Sequence, residues 1–223
     1  LNKLIDDFIA PHCADKIDIL YQDGDILLIS KPSGLLSLSG KNPLNKDSVH
    51  FRMVQTFPSI TLAHRLDFGT SGIMLLALNK EANANLTKQF QNRSVKKTYI
   101  SELLGHIPED SGIIDAAIAK DPENFPVLKL CEKWGKSAQS QFDVISRLTN
   151  PKRSRVRFTP LTGRTHQLRI HSLAIGHPIL GCDLYHCDNS THLAPRLLLH
   201  AASLEFDHPS TGQRMSVTSS CPF

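Results

Sequence analysis

The sequence predicts an α+β fold, a mostly antiparallel mixed central sheet with flanking helices. Three observations carry that expectation. Segments with strand character outnumber helical ones, and short Gly, Pro, Asn or Asp turns join many of them as hairpins. Of 223 residues, 40% are hydrophobic and 21% charged, the balance of a packed globular chain.

Taken in order, Ile17–Tyr21 and Ile26–Ile29 read as two strands, with Asp23-Gly24 as their hairpin turn. Lys31-Pro32-Ser33-Gly34 breaks the second strand into a loop. Asp47 reads as the N-cap of a helix running to about Phe57, stopped by Pro58. Ile73–Leu78 is a short apolar run suited to a buried strand. Asn79 caps a helix over Lys80–Phe90, whose Ala82, Leu86 and Phe90 recur every four residues. Thr98–Leu104, Gln139–Val144 and Arg155–Phe158 read as strands, the last two by alternation. Thr165–Ile175 reads as a helix stopped by Gly176, with Pro178 beyond. Leu197–Ala201 has the character of a central strand. Leu204–Phe206 and Met215–Val217 read as a closing hairpin across Pro209-Ser210-Thr211-Gly212. Residues 1–16 are expected to be an N-terminal extension and 17–223 one domain.

Composition excludes several classes. No apolar stretch approaches the roughly 20 residues of a spanning helix, so no membrane association is expected. No leader with charged, apolar and small-residue zones opens the chain, and a cytoplasmic location is expected. The five cysteines, at 13, 131, 182, 187 and 221, are odd in number and form no CxxC pair, which fits free thiols in a reducing compartment. The eleven histidines lack metal-ligand spacing at His186-Cys187 and at His166/His171, so no metal site is expected.

The formal charge of +4 is unevenly spread. Lys88–Lys97 holds Lys88, Arg93, Lys96 and Lys97 without an acid, and Lys152–Arg169 holds six basic residues without an acid. Brought together, the two blocks form a cationic face suited to a polyanion; left apart, they are solvated surface charge.

The stretch richest in chemistry is His64-Arg65-Leu66-Asp67-Phe68-Gly69-Thr70-Ser71-Gly72, a tight turn feeding the apolar run Ile73–Leu76. A group on such a turn is rigidly held yet reaches solvent. Asp67 there can serve as nucleophile, general base or ion-pair partner. It can equally do no more than cap the turn.

Wider context bears on that choice. His64-Arg65-Leu66-Asp67 with Thr70-Ser71-Gly72 and an apolar strand resembles the signature of the RluA family of pseudouridine synthases. Three further segments match in order: Lys31-Pro32-Ser33-Gly34-Leu35, Lys97-Thr98-Tyr99, and Leu161-Thr162-Gly163-Arg164-Thr165-His166-Gln167-Leu168-Arg169-Ile170-His171. The blocks Gly176–Asp183 and Pro195–Ala201 are also similar to family sequence. Ser30 departs from the family, which more often has Asn there. The resemblance runs from about Ile17 to the C-terminus.

That resemblance implies isomerisation of uridine to pseudouridine in RNA at a catalytic cleft, without metal, redox or energy-carrying cofactor. Asp67 falls on the catalytic aspartate, acting as nucleophile or as base toward a ribose proton. Arg164 falls on the basic residue that pairs with the aspartate, supplying the counter-charge an enclosed carboxylate needs. Tyr99 falls on the active-site aromatic, able to stack on uracil or to reach the ribose with its hydroxyl. Leu168 would wall the uracil pocket, with core packing as the rival role. Arg65 would face the RNA, filling the gap left by a displaced nucleotide or holding a phosphate. His64 would shape the turn behind it, and Lys97 and Arg169 join the basic residues expected to hold RNA.

A stacked uridine hides its reacting atoms, so the base must be flipped out, which costs least in a loop. The expected partners are hairpin loops of structured RNA. About sixteen residues precede the first strand, too few for an S4 RNA-binding module. The chain therefore resembles the compact branch of the family, whose targets include 23S ribosomal RNA and the tRNA anticodon arm. It is expected to act as a monomer. Two other classes compete: a serine hydrolase built on Ser71, Asp67 and His64, and a non-catalytic RNA-binding or ribosome-assembly protein. The first lacks GxSxG and has a strand where a helix should follow. The second would have lost the aspartate, tyrosine or arginine, all of which are present.

Overall fold

The computed structural model describes residues 8–187 and 190–223. The chain divides into two compact units, Leu1–Val95 with Leu204–Ser219, and Lys96–Ser203 with Ser220–Phe223. Most of the proposed N-terminal extension is covered, but its first seven residues lie outside the described residues.

In the first unit the strands β1 (Asp18–Gln22) and β2 (Ile26–Lys31) form the expected hairpin. Asp23 Oδ1 accepts the N–H groups of Asp25 (2.8 Å) and Ile26 (2.9 Å), which shapes the turn. After helix α1 (Val49–Met53) and the short β3 (Thr61–Leu62) comes β4 (Ser71–Ala77), then helix α2 (Lys80–Gln91). The order is β1-β2-β4, with β3 also on β4, all antiparallel. Every residue of β4 is buried, which explains why its sequence is apolar on both faces instead of alternating. One face carries Ile73, Leu75 and Ala77, packed with Ile26 and Leu28 of β2 and with Ala82 and Leu86 of α2. Asn79 caps α2 as expected, its side chain accepting the Ala82 N–H at 2.8 Å.

In the second unit β5 (Lys96–Leu104) is followed by β6 (Ser111–Asp115), β7 (Ile118–Lys120) and β8 (Leu128–Leu130). Then come β9 (Gln139–Thr149), β10 (Lys152–Pro160) and helix α3 (Gln167–Ala174). The order is β5-β10-β9-β6, antiparallel throughout, while β7 and β8 form a separate two-stranded ribbon. Leu103, Phe142, Val156, Phe158, Leu168, Ile170 and Leu199 belong to its core. Gly181 (φ +70°) is required: a Cβ there would stand 1.9 Å from the Arg196 carbonyl oxygen. Strand β11 (Leu199–Asp207) begins in this unit and ends in the first, where β12 (Arg214–Thr218) pairs with it.

The α+β class and the antiparallel pairing agree with the sequence reading, and five details differ. Helix α1 ends at Met53 and gives way to turns, short of the expected Phe57. Ser48, not Asp47, caps α1, its hydroxyl accepting the Phe51 N–H at 3.0 Å. Asp47 instead grips Arg52 with both oxygens, at 2.7 and 2.6 Å. Helix α3 starts two residues later than expected, because His166 takes a left-handed conformation (φ +55°) that a helix cannot contain. Leu197–Ala201 and Leu204–Phe206 are not two strands: the single strand β11 starts at Leu199 and continues through Phe206, since nothing between them turns the chain. The ribbon β7-β8 was not anticipated; three-residue strands are too short to show a period.

Candidate active site

Asp67 lies in the loop between β3 and β4, half-buried, at the start of a turn closed by the Thr70 N–H donating to the Asp67 carbonyl at 3.1 Å. The Lys31–Ser37 segment clamps the backbone on both sides of it. The Ser37 hydroxyl donates to Leu66 O at 2.7 Å and accepts the Leu66 N–H at 3.1 Å. The Gly34 N–H donates to Phe68 O (2.9 Å), and the Ser33 hydroxyl to Gly69 O (2.7 Å). Lys31 is fully buried. Its ammonium donates to the carbonyls of Pro32 (2.8 Å), Leu35 (2.7 Å) and Phe68 (3.2 Å), tying the two loops together. A buried ammonium survives only with such partners. Gly34 sits at φ +76°, which lets its N–H turn toward the Asp67 loop without a steric penalty. Phe8 packs edge-on against Phe68, ring centroids 5.3 Å apart.

The neighbours of Asp67 divide by exposure. Arg65 is exposed. His64 faces inward: its Nε2 accepts the Leu75 N–H of β4 at 3.0 Å, and its ring stacks on Phe90 with centroids 4.7 Å apart. Because Nε2 is an acceptor, any ring proton sits on Nδ1. His64 is thus tied to β4 and packed on α2. Ser71 is buried and opens a strand, not a helix, so the hydrolase alternative lacks its elbow.

The second unit holds the other expected residues. Tyr99, on β5 opposite Phe158 of β10, packs at the margin of the core cluster that contains Leu168. Leu168 is buried in that cluster. Lys97 is half-buried, and desolvation pushes its ammonium below the usual lysine range. A methyl group placed on Gly163 would stand 3.6 Å from its Nζ, so the ammonium lies against the Arg164 loop.

Arg164 lies in the loop that precedes α3. Its Nε donates to Ser137 O at 3.0 Å and its backbone N–H to Gln167 Oε1 at 3.0 Å. Gln167 organises this loop. Its Oε1 accepts the Thr162 hydroxyl (2.7 Å), and its Nε2 donates to Gln139 O and to Ser140 Oγ, both at 2.9 Å. Ser140 Oγ in turn lies 2.9 Å from His171 Nδ1, and His171 Nε2 lies 3.0 Å from Ala116 O. The carbonyl requires a donor, so His171 carries its proton on Nε2. Burial holds its pKa below the ordinary histidine value, although the bond to Ala116 and the Asp115 charge oppose this.

Arg169 does not have the surroundings of a phosphate-binding residue. It is buried, its Nη2 is 2.5 Å from Asp183 Oδ1, its Nε donates to Cys182 Sγ at 3.4 Å, and its guanidinium lies over Tyr185. Desolvation and a partnered charge make it a packing element of α3.

Lys31, Ser33, Ser37, Gln167 and His171 were not singled out for a role in the site. The signal present in the sequence is a lone Lys just after the apolar run Ile26–Ile29, and the polar residues inside the Leu161–His171 motif. One group among the described residues has metal-like donors within 4.8 Å of one another, Asp23, Asp25 and His208. Their atoms serve the hairpins: Asp23 meets His208 Nε2 at 2.8 Å and the Tyr21 hydroxyl at 2.9 Å, and Asp25 accepts from Asn79 and Ser210. Burial alone would raise the Asp23 pKa. The N–H groups of Asp25 and Ile26, His208 and Tyr21 outweigh it and hold it down at about 2.

A sequence profile of the family described as RNA pseudouridylate synthase matches residues 25–174. Over 197 residues the chain is 47% identical to the dual-specificity RNA pseudouridine synthase RluA of Yersinia pestis, covering 88% of this chain and 95% of that one. Its identity to the protein of the same name from Escherichia coli K12 is 42% over 205 residues, 92% of this chain and 93% of that one. Among solved structures, human RNA pseudouridylate synthase domain containing 1 superposes with a TM-score of 0.80 at 29% identity, covering 96% and 86% of the two chains.

Proposed function

This chain belongs to the RluA family of RNA pseudouridine synthases, and from that premise we propose its substrates and the duties of its side chains. The enzyme isomerises uridine within RNA: the bond from ribose C1′ to N1 breaks, and C1′ is rejoined to C5. The proton displaced from C5 is lost and N1 gains one, so no redox equivalent is consumed. The substrates are uridines in hairpin loops of 23S ribosomal RNA and of the tRNA anticodon arm, met in the cytoplasm by a monomeric enzyme. The observation that carries this reading is the 47% identity, over 88% of this chain, to a relative described as dual-specificity.

Asp67 is the carboxylate that acts on the flipped nucleotide, as nucleophile or as base toward a ribose proton. The backbone bonds around it support that role: an atom that must meet C1′ or its neighbouring hydrogen needs a loop fixed to within a fraction of an ångström. Arg164 supplies the counter-charge that keeps a carboxylate ionised beside an enclosed base. Tyr99 offers a flat ring to uracil, with Leu168 packed behind that part of the core. Arg65 enters the stack when the uridine leaves it. Lys97 adds positive charge beside the Arg164 loop, while His64 and Arg169 act by holding backbone and helix.

The test is tritium release from transcripts labelled at uridine C5, using a 23S ribosomal RNA fragment and a tRNA. Native enzyme is expected to release label from both. Asp67→Asn should lower release at least about 100-fold while RNA binding persists. Equal release by the variant would overturn the role of Asp67. Release from one RNA class alone would overturn dual specificity, and release from neither would overturn the substrate reading.

A further inference from the structure

Trp134 is 67% exposed although the turn that carries it is tightly built. The Gly135 N–H donates to Cys131 O at 2.9 Å, and the Cys131 N–H to Ala117 O at 2.9 Å. Lys136 and Ile118 exchange backbone bonds of 2.8 and 3.0 Å. A Cβ on Gly135 would stand 2.1 Å from Cys131 O, so the turn has no slack. The indole is therefore held out into solvent by an ordered scaffold. Phe125, in the loop joining β7 to β8, is 70% exposed on the same ribbon.

This ribbon is bound to the Arg164 loop at two points. Arg164 Nε donates to the carbonyl of Ser137, three residues after Trp134. Three residues of chain reach at most about 11 Å. The Leu128 N–H of β8 donates to the Tyr185 hydroxyl at 2.9 Å, and that hydroxyl lies 2.8 Å from Nδ1 of His166, two residues beyond Arg164. An RNA whose uridine reaches Arg164 therefore passes within a few nucleotides of the indole. The charges facing it suit a backbone: Lys133 Nζ lies 5.6 Å from the ring centroid, Lys136 is exposed, and Glu132 is the turn's single acid. Lys129, further along, is paired with Asp121.

We propose that Trp134 is a stacking platform for an unpaired base flanking the target uridine, with Lys133 and Lys136 on the adjoining phosphates. Every base has a π-face, so such a platform binds loops without reading sequence, and it rejects duplex, whose faces are already stacked. The proposal rests on the synthase reading, because a place beside Arg164 matters only if RNA is bound there.

Trp134 is the chain's one tryptophan, so intrinsic emission reports it directly. The probes are a hairpin RNA with uridine in its loop and a fully paired duplex of equal length, added to the full chain. Hairpin is expected to quench the emission and duplex to leave it unchanged. Trp134→Ala should weaken hairpin affinity about 5- to 100-fold, Trp134→Phe should restore most of it, and melting temperatures should match native. Quenching by both RNAs alike, or native affinity in Trp134→Ala, would overturn the proposal. So would an emission shift that tracks protein concentration without RNA, which would assign the ring to a contact between two copies. Tritium release by native enzyme separates the cases: if it persists while the platform fails, only this inference falls, and if it is absent on every RNA, the premise falls.

Discussion

At the residue scale, the backbone on either side of Asp67 is held by side chains and backbone groups of a distant loop. Ser37 alone satisfies both the N–H and the carbonyl of Leu66. Leu66 is buried, so without that hydroxyl both groups lose partners that water cannot replace. Ser37→Ala is expected to cost about 1–3 kcal/mol in a denaturant titration. It should also lower kcat more than it raises KM, because a loosened aspartate loses alignment, not RNA affinity. An unchanged kcat with reduced stability would show that the clamp holds the fold and not the aspartate.

At the element scale, α3 is organised before it begins. Gln167, the first residue of the helix, is the hub through which Thr162, Gln139 and Ser140 fix the Arg164 loop. The same chain of bonds ends in His171, one turn on, whose pKa is lowered in the folded protein mainly by burial. A depressed histidine pKa means that the unfolded chain binds the extra proton first. The stabilisation is therefore complete above about pH 6.5, the unfolded value, and is lost as pH falls toward the folded one, with a slope of up to about 1.4 kcal/mol per pH unit. Denaturant midpoints at pH 7, 6 and 5 should show native protein weakening more than His171→Gln. Parallel losses in the two proteins would show that other groups carry the pH dependence.

At the scale of the whole molecule, charge must be counted after folding. The block Lys152–Arg169 contains six cations, but Arg153 and Arg155 both close on the buried Glu102, at 2.7 and 3.2 Å, and Arg169 on Asp183. Arg157 and Lys152 remain exposed, as do Lys88, Arg93 and Lys96 of the other block. Only such exposed cations can release counterions from RNA. Arg157→Gln is expected to reduce the salt slope of RNA binding by about 0.7–0.9 without altering stability. Arg155→Gln should cost about 1–3 kcal/mol of stability and leave the slope as it was. A reversed pattern, read from binding at several salt concentrations, would overturn this division.

The sequence by itself determined the α+β class, the β1-β2 hairpin, the Asn79 cap, and the order of the motifs around Asp67, Tyr99 and Arg164. These are local or short-period features, set by turn chemistry, capping and side-chain alternation. It also carried the family, because motif order survives where contacts are invisible. Tertiary structure alone decided which polar residues serve which backbone. Lys31 reads as a loop cation and is a buried tie, and Arg169 reads as an RNA contact and is packed on Asp183. The physical reason is that burial and pairing depend on residues far apart in the chain: Ser37 and Leu66 are 29 positions apart, and Glu102 and Arg155 are 53. No local pattern encodes that a charge or hydroxyl will find its partner at such a distance.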